Sequence, residues 1–213
     1  MSDPLLIGYW RSSAAYRVRI AVALKGLEPR HAYVHLRKGE QRGADYRARN
    51  PAGLVPMWED DGLSLAQSLA IIEYLDEKYP GPPLLPERPA NRAVAREIAL
   101  TIACDIHPLG NLRVLDKLTE DFGADAGARA AWIRHWIGIG FAAVEARLAG
   151  SAGRHCVGDE AGLADIFLVP QVYNARRWEF DLSPFPRIVA ADEAARALPA
   201  FVAAAPENQP DAE

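Results

Sequence analysis

Two adjacent serines, Ser12 and Ser13, stand where a short apolar strand gives way to a predicted helix with basic residues. A serine at a helix N-terminus is a favoured cap, because its hydroxyl accepts a hydrogen bond from backbone N–H groups that the first turn leaves unpaired. The same N-terminus carries a partial positive charge, so it also favours a bound anion such as a carboxylate or a thiolate. Taken alone, the pair predicts a helix cap first and an anion site as the alternative.

Three arginines are candidates for binding an acidic ligand. Arg11 precedes the serine pair, and Arg176 and Arg177 lie at the end of an otherwise apolar helical segment. A guanidinium group can bind a carboxylate through two parallel hydrogen bonds, which indicates a small acidic substrate. The alternative for each arginine is an ordinary place at the surface, since arginine is mostly exposed in proteins.

His107 and Asn111 are four residues apart in a segment with helical periodicity, which predicts that they share one helix face. Pro108 and Gly110 interrupt this segment, and a proline inside a helix usually bends it. The ordinary interpretation of His107 is a buried, hydrogen-bonded histidine. The histidines of the chain show no metal-ligand spacing, so no metal site is predicted.

Two further features lie at predicted turns. Pro56 stands at the head of a predicted strand, where it cannot donate to the strand ladder, and the Val55–Pro56 bond is a candidate for the cis form. Gln67 and Ser68 precede an apolar segment with helical spacing. A second serine therefore stands at a second strand-to-helix junction.

The elements that must position these residues fall into two groups. In the first part of the chain, strand and helix patterns follow the order βαβαββα, which predicts an α/β domain over residues 1–82. Proline and glycine break both periodicities between about 80 and 90, which predicts a linker. After the linker no strand is predicted, and residues 90–213 are expected to form an all-α domain with a loose tail over 206–213. Its helices are predicted over 91–118, 128–149, 163–178 and 187–204.

The composition favours a folded, globular protein. Half of the 213 residues are hydrophobic, enough for a sizeable core, and the formal net charge is −4. This charge does not favour binding to nucleic acid or to an anionic membrane. No apolar stretch reaches the roughly 18 to 20 residues of a membrane span, and the N-terminus does not resemble a signal peptide, so a cytoplasmic location is expected. Cys104 and Cys156 fit no metal-ligand spacing and are predicted to be free thiols.

Six motifs along the chain together resemble the zeta class of glutathione transferases. That class includes the maleylacetoacetate isomerases and the bacterial maleylpyruvate isomerases. The motifs follow one another in register over nearly the whole chain, which makes the set far more specific than any one of them. They are the segments Ser12–Ile20, Asn50–Pro56, Gln67–Leu75, Ile106–Leu112, Val157–Glu160 and Val169–Val172.

The resemblance implies a thioredoxin-like N-terminal domain, an all-helical C-terminal domain, a homodimer and glutathione as the cofactor. It assigns the stabilisation of the glutathione thiolate to Ser12, with Ser13 in support, and a hydroxyl donor at a positive helix end does favour the charged sulfur. Ala14 stands where members of the class often have cysteine, so any role of that cysteine is absent here. The implied glutathione-binding positions are Ser12, Val55, Pro56, Gln67, Ser68, His107 and Asn111.

The implied activity is the cis–trans isomerisation of a maleyl-type diacid, maleylacetoacetate to fumarylacetoacetate, in the catabolism of tyrosine and other aromatic compounds. In this reaction the thiolate adds to the double bond beside a ketone, and elimination after bond rotation returns glutathione unchanged. The dicarboxylate substrate would be bound by Arg11 and Arg177. Arg176 and Arg113 are weaker candidates for the same role.

Three alternatives stay open at this point. The first is isomerisation of maleylpyruvate, because the two substrates differ by one methylene, worth only about 1 to 3 kcal/mol of discrimination. The second is conjugation or dehalogenation by the same thiolate, as in other zeta-class glutathione transferases, which would consume or oxidise glutathione. The third is a glutathione-binding scaffold protein without catalysis. Retention of Ser12, Gln67 and Ser68 argues against a scaffold, since a scaffold needs no anion site.

Overall fold

The computed structural model describes residues 3–213, which form two compact units. The first unit contains the chain up to Leu84 together with Leu198–Glu213, and the second contains Leu85–Ala197. The sequence-based limits of 1–82 and 90–213 differ from this division at the C-terminal end. They assign the last residues to the helical domain, whereas the structure groups them with the first unit.

The physical reason lies in the contacts of the helix Pro199–Ala204, which packs against the first helix of the chain. The Tyr16 hydroxyl donates to the carbonyl of Phe201 at 3.5 Å, and Arg19 Nε donates to the carbonyl of Ala204 at 3.0 Å. Phe201 itself is only 1 % exposed. The C-terminal segment is therefore part of the first unit's core, a long-range pairing that helical periodicity does not reveal.

The first unit has the predicted order βαβαββα and the predicted thioredoxin-like fold. Its elements are β1 (Leu5–Gly8), α1 (Ser13–Leu24), β2 (Arg30–Tyr33), α2 (Ala44–Arg49), β3 (Met57–Asp60), β4 (Leu63–Ala66) and α3 (Ser68–Lys78). The four strands form one mixed sheet in the order β2-β1-β3-β4, in which β1 and β2 are parallel and the other two pairings are antiparallel. The hairpin between β3 and β4 turns at Asp61 and Gly62, which both have positive φ, as a tight two-residue turn requires.

Helix α1 is the central helix of this unit. It packs against α3, and Val18 and Ile20 are fully buried. A separate apolar cluster joins Ile7 of β1 and Met57 of β3 to Tyr46 of α2. The burial of both central strands and of α1 fixes the point where β1 ends and α1 begins, which is the position of the serine pair.

The second unit is all-helical, as predicted, but the first of its predicted helices is interrupted. The predicted helix over 91–118 is wrong as a single element: it is broken by a π-helical turn at Thr101–Ile106 and a 3₁₀ turn at His107–Gly110. Pro108 has no N–H to continue the α-helical ladder there. The helices are α4 (Pro89–Leu100), α5 (Leu112–Phe122), α6 (Ala126–Ser151), α7 (Leu163–Arg177) and α8 (Pro186–Arg196).

The predicted helix over 187–204 is also wrong, because it divides into α8 and a last helix, α9 (Pro199–Ala204). Leu198 is extended, with φ −78° and ψ 138°. A residue before proline is disfavoured in the helical conformation, so Pro199 ends one helix and begins the next. This break is also the point at which the chain returns from the second unit to the first.

Helix α7 is the core of the second unit, and every residue from Leu163 to Val172 is buried. Cys104 and Cys156 are free thiols, as predicted, the first exposed and the second buried. Burial, followed by the nearby Asp165 carboxylate, raises the pKa of the Cys156 thiol. Among the described residues no single helix is long and apolar enough to cross a membrane; only Pro89–Gly110 and Leu112–Phe122, bent by 41°, meet that test as a pair.

Candidate functional site

Ser12 caps helix α1, as the sequence predicts. Its backbone is extended, and its side-chain oxygen accepts a hydrogen bond from the Ala15 N–H at 3.2 Å. Its own N–H donates to the carbonyl of Tyr9 at 3.0 Å, which closes the loop between β1 and α1. A hydroxyl has one hydrogen to donate in addition to its lone pairs. The cap therefore leaves the Ser12 O–H able to donate to an anion, so the two predicted roles are compatible.

The surroundings of Ser12 favour negative charge. The first turn of α1 contains no acidic residue, so no side chain of that turn offsets the positive end of the helix dipole. The Arg11 guanidinium lies 5.6 Å from the centre of the Trp10 ring and is partly exposed. Ser13 is the first residue of α1 and is only 7 % exposed, whereas Ser12 is partly exposed. Of the two serines, Ser12 is the more accessible to a ligand.

Val55 and Pro56 lie immediately before strand β3, and the bond between them is cis, as hypothesised. Both residues are buried. The chain just before them is held at the carbonyl of Leu54, which accepts hydrogen bonds from Tyr46 Oη at 2.6 Å and from Asn50 Nδ2 at 2.7 Å. Burial raises the pKa of the Tyr46 phenol, so it stays a donor at neutral pH. The sequence analysis missed this support, although the turn residues from Asn50 onwards mark its position.

Gln67 and Ser68 form the second polar junction, between β4 and α3. Gln67 is exposed and has φ 72° and ψ 117°, a conformation that costs a non-glycine residue on the order of 1 to 3 kcal/mol. Such strained residues cluster at ligand-binding positions. Ser68 is the buried first residue of α3, and its hydroxyl oxygen accepts a hydrogen bond from Arg17 Nη1 at 3.3 Å. The structure thus brings the start of α3 to the second turn of α1.

Arg17 is a functional candidate that the sequence analysis did not single out. Its side chain is 2 % exposed, although it belongs to a helix that also carries apolar core residues. A buried arginine requires partners, because an unpaired charge is costly to remove from water. The available signal was a charged residue between apolar positions of α1, and periodicity alone does not distinguish it from a surface arginine.

In the second unit, His107 and Asn111 do not share the face of one helix, so that prediction is wrong. His107 opens the 3₁₀ turn and is half-buried, whereas Asn111 is extended and caps α5 by accepting a hydrogen bond from the Arg113 N–H at 3.2 Å. The π-helical turn and Pro108 change the direction of the chain between α4 and α5. The Asn111 N–H donates to the carbonyl of Pro108 at 3.2 Å, which closes the turn that follows His107.

His107 lines a cavity of about 40 Å³ together with Gln171 and Asn174 of α7. The remaining walls are largely apolar and come from Ile106, Gly110, Ile133 and Ile137. Gln171 is 2 % exposed, and its Oε1 has no hydrogen-bonding partner among the described residues. A buried glutamine in an apolar helix was the signal for this cavity, and the sequence analysis did not use it.

The arginines proposed for substrate binding differ in their environment. Arg176 forms an ion pair with Asp192 at 2.7 Å, and Asp192 is fully buried. The Arg176 side chain is therefore already paired with a carboxylate of the second unit. Arg113, in the first turn of α5, and Arg177, the last residue of α7, are exposed, and so is Arg176. Arg176 is distinguished by its ion pair with a fully buried carboxylate.

Comparison with known proteins gives a family for the first unit and for the whole chain. Residues 11–78 match the model of the N-terminal domain of glutathione S-transferases. A probable maleylacetoacetate isomerase from Vibrio cholerae is 51 % identical over 214 aligned residues, and the alignment covers 100 % of both chains.

Two solved structures are similar to this chain over nearly its whole length. One is a holo structure of a maleylpyruvate isomerase, a bacterial zeta-class glutathione transferase, with 46 % identity, a TM-score of 0.96 and coverage of 98 % of this chain and 100 % of the other. The other is a maleylacetoacetate isomerase from Methylobacterium extorquens with bound malonate and glutathione. Its identity is 40 %, its TM-score is 0.95, and the coverage is 98 % of this chain and 99 % of the other.

Proposed function

Because this chain belongs to the glutathione transferase family, in its zeta class, we propose that it is a glutathione-dependent cis–trans isomerase that converts maleylacetoacetate to fumarylacetoacetate. The observation that carries the proposal is the position of Ser12. Its hydroxyl lies at the positive end of α1, next to no acidic residue of the first turn, with a hydrogen left to donate. Such a group stabilises a bound anion.

The residues of the first unit suit glutathione as the cofactor. Ser12 and Ser68 stand at two helix N-termini, and Arg17 connects these ends. The α-carboxylate of a γ-glutamyl group is an anion that a helix N-terminus binds well. Gln67, with its strained backbone, is the remaining polar group at that junction. We assign Ser12 to the sulfur, Val55 to the peptide backbone of the cysteinyl part, and Gln67 with Ser68 to the γ-glutamyl end.

Bound glutathione supplies a thiolate that adds reversibly to the double bond of the substrate. The contribution of Ser12 is a hydrogen bond to the sulfur, which lowers the pKa of the thiol and raises the thiolate fraction at neutral pH. Ser13, in the first turn of the same helix, supports the backbone of this junction. His107 and Asn111, from the second unit, complete the proposed glutathione-binding set.

The substrate has two carboxylates, so it needs cationic partners. Arg11 stands next to Ser12, and Arg177 is exposed at the end of α7. Arg113 is exposed on α5, while Arg176 is already paired with Asp192. We therefore assign the carboxylates to Arg11 and Arg177, place Arg113 next in order and give Arg176 a structural role.

Maleylpyruvate is the second candidate substrate. It is favoured by the similarity to the holo maleylpyruvate isomerase structure, whose TM-score of 0.96 is as high as that of the maleylacetoacetate isomerase structure at 0.95. One methylene separates the substrates, and that difference is worth about 1 to 3 kcal/mol in a binding pocket. The higher sequence identity, 51 %, is with the probable maleylacetoacetate isomerase, which places that activity first. We further propose that the protein acts as a homodimer in the cytoplasm.

The experiment that tests the proposal supplies glutathione in catalytic amount. The purified protein is incubated with maleylacetoacetate and, separately, with maleylpyruvate. Glutathione is present at a tenth of the substrate concentration, and the loss of the cis substrate is followed. The expected result is complete conversion with the free thiol unchanged at the end. Turnover that stops when glutathione is exhausted would indicate conjugation instead. Binding of glutathione without conversion of either substrate would contradict the isomerase proposal and leave the scaffold and dehalogenase alternatives. Sedimentation measurements test the dimer.

A further inference from the structure

The loop that carries Ser12 is bonded to the C-terminal end of the chain. The N–H of Trp10, two residues before Ser12, donates to Asp211 Oδ2 at 2.9 Å, across 201 positions of the sequence. Hydrogen bonds from a backbone N–H to a carboxylate are charge-assisted and are about twice as strong as neutral ones. A residue near the C-terminus therefore holds the backbone of the loop directly.

Arg19 of α1 completes the connection. Its Nη2 donates to the carbonyl of Trp10 at 2.9 Å and its Nη1 to the carbonyl of Tyr9 at 3.4 Å, while its Nε donates to the carbonyl of Ala204 at 3.0 Å. The Tyr9 carbonyl is also the acceptor of the Ser12 N–H. One buried guanidinium group thus bonds both the Ser12 loop and helix α9.

The rest of the C-terminal segment, Leu198–Glu213, is bonded as well. Gln209 Nε2 donates to the carbonyls of Ala203 and Ala205, both at 2.9 Å, and His35 Nε2 lies 2.6 Å from Glu213 Oε1. The sequence-based expectation of a loose tail over 206–213 is therefore wrong. The reason is that polar side chains, which composition marks as solvated, find specific backbone partners within the first unit.

A small cavity shows how closely these groups are placed. It has a volume of about 10 Å³ and is lined, among others, by Trp10, Arg19, Gln209 and Asp211. Such a space holds no side chain, so the loop and the segment are in direct packing contact. The loop cannot move away from the segment without breaking the hydrogen bonds that Asp211 and Arg19 make with the backbone of Tyr9 and Trp10.

We infer that the C-terminal segment is a positioning element for Ser12, acting through Asp211 and Arg19 on the peptide groups of Tyr9 and Trp10. It deepens the proposed function, on which its catalytic consequence rests. Asp211 and Arg19 are positioning residues, because they hold the backbone on either side of Trp10 and touch neither sulfur nor substrate in this scheme. If the hydrogen bond of the Trp10 N–H is lost, the loop can move, and the Ser12 hydroxyl no longer keeps the orientation in which it donates to the thiolate.

The test compares Asp211→Ala with Glu207→Ala, a matched control that removes one exposed carboxylate from the same segment. Hydrogen exchange is measured at the Trp10 and Ser12 amides of the protein without glutathione. Asp211→Ala is expected to accelerate exchange at both amides about tenfold or more, and Glu207→Ala to leave it unchanged. Unchanged exchange in Asp211→Ala would overturn the inference, whatever reaction the protein catalyses.

The second readout is the pKa of the thiol of bound glutathione, followed through the ultraviolet absorbance of the thiolate as a function of pH. In Asp211→Ala this pKa is expected to rise by about one unit, with kcat about tenfold lower at neutral pH and the KM for the diacid within about twofold. An unaltered thiol pKa would contradict the inference. If the wild-type protein with bound glutathione shows no thiolate absorbance, the proposed function is contradicted. The hydrogen-exchange result would still test the positioning of the Ser12 loop by itself.

A conservative variant keeps the test usable if Asp211→Ala does not fold. Asp211→Asn retains the volume and a carbonyl acceptor for the Trp10 N–H but loses the charge. Its exchange rate and thiol pKa are expected to lie between those of the wild-type protein and Asp211→Ala. Values for Asp211→Asn that equal the wild type in both readouts, with Asp211→Ala unfolded, would contradict the expected contribution of the Asp211 charge to positioning Ser12.

Discussion

Arg17 Nη1 donates to Ser68 Oγ at 3.3 Å, and this bond connects the second turn of α1 to the first residue of α3. Both side chains are buried, at 2 % and 6 % exposure. The two helices whose N-termini are proposed to hold the sulfur and the γ-glutamyl end of glutathione are thus joined by a charged hydrogen bond. The cofactor-binding face of the first unit is organised around this pair rather than around either serine alone.

Ser68→Ala is predicted to weaken glutathione binding. It removes a proposed ligand of the γ-glutamyl end and an acceptor of Arg17, and a hydrogen bond to a charged group is worth about 1.5 to 3 kcal/mol. The KM for glutathione is therefore expected to rise at least about tenfold, with a smaller change in kcat. Ser64→Ala on the exposed strand β4 is the control and is expected to leave both constants unchanged. Equal KM values for the two variants would refute the assignment of Ser68.

Ser12→Ala is predicted to lower kcat by about 100-fold or more, since one donor to a developing or bound anion is worth on the order of 10²–10³ in rate. The lost helix cap also lowers stability by about 1 kcal/mol. Asp125→Ala separates the two effects, because Asp125 caps α6 by accepting from the Ala128 N–H at 2.8 Å and has no part in the proposed site. Steady-state kinetics and thermal unfolding of both variants make the comparison. A normal rate in Ser12→Ala would remove the proposed mechanism.

The adjacent residues Arg176 and Arg177 at the end of α7 are predicted to have different roles, one in stability and the other in substrate binding. Arg177→Met is expected to raise the KM for the diacid by about tenfold or more. Arg176→Met is expected to lower the melting temperature with little effect on KM, because it leaves the fully buried Asp192 with one ion pair fewer. Reversed results would exchange the two roles.

Gly140→Ala is predicted to destabilise the second unit. A Cβ at Gly140 would clash with Cγ1 and Cδ1 of Ile106, which directly precedes His107. Overpacking of this kind costs about 1 to 3 kcal/mol and would displace the turn that carries the histidine. Gly150→Ala in the same helix is the control: nothing lies within 4 Å of its Cβ, so the change is expected to stabilise by about 0.5 to 1 kcal/mol. Denaturant unfolding of both variants measures the change in the free energy of unfolding, which is expected to be a decrease for Gly140→Ala and an increase for Gly150→Ala.

A cluster around Asp60 predicts a contribution to stability that depends on pH. Tyr74 Oη, Lys78 Nζ and Tyr79 Oη all donate to Asp60 Oδ2, at 3.0, 2.7 and 2.6 Å. Burial alone would raise the pKa of Asp60, but hydrogen bonds from Lys78, Tyr79 and Tyr74 outweigh it and lower the pKa below 3.8. Burial, followed by the hydrogen bond to Asp60, raises the pKa of Tyr79 to about 12.

The sign for Asp60 follows from its lowered pKa. The ionised carboxylate stabilises the fold above the unfolded-state pKa, and this contribution is lost as the pH falls through the lower folded-state pKa. The melting temperature of the wild-type protein is therefore expected to fall more steeply below about pH 4 than that of Asp60→Asn, which is less stable at neutral pH. Parallel curves for the two proteins would show that the carboxylate charge contributes nothing.

Local patterns were sufficient for much of the first unit. The first apolar strand, the cap at Ser12 and the helix start at Gln67 and Ser68 each depend on interactions within a few residues, so apolar patterns and capping preferences predict them. The candidate residues Ser12 and Ser68 were found for the same reason. The failures at Pro108, in the second unit, and at Pro199, where the chain has returned to the first unit, occurred where a proline stood inside a long periodic segment and the pattern outweighed the break.

By itself, the sequence determined the order βαβαββα, the all-helical second part and the family, because each is recorded in local periodicity or in motifs of fixed spacing. Only the tertiary structure decided which distant groups meet. It pairs Asp211 with Trp10, Arg17 with Ser68 and Arg176 with Asp192, and it assigns the C-terminal segment to the first unit. The physical reason is that a hydrogen bond or an ion pair depends on separation in space, and separation along the chain carries no record of it.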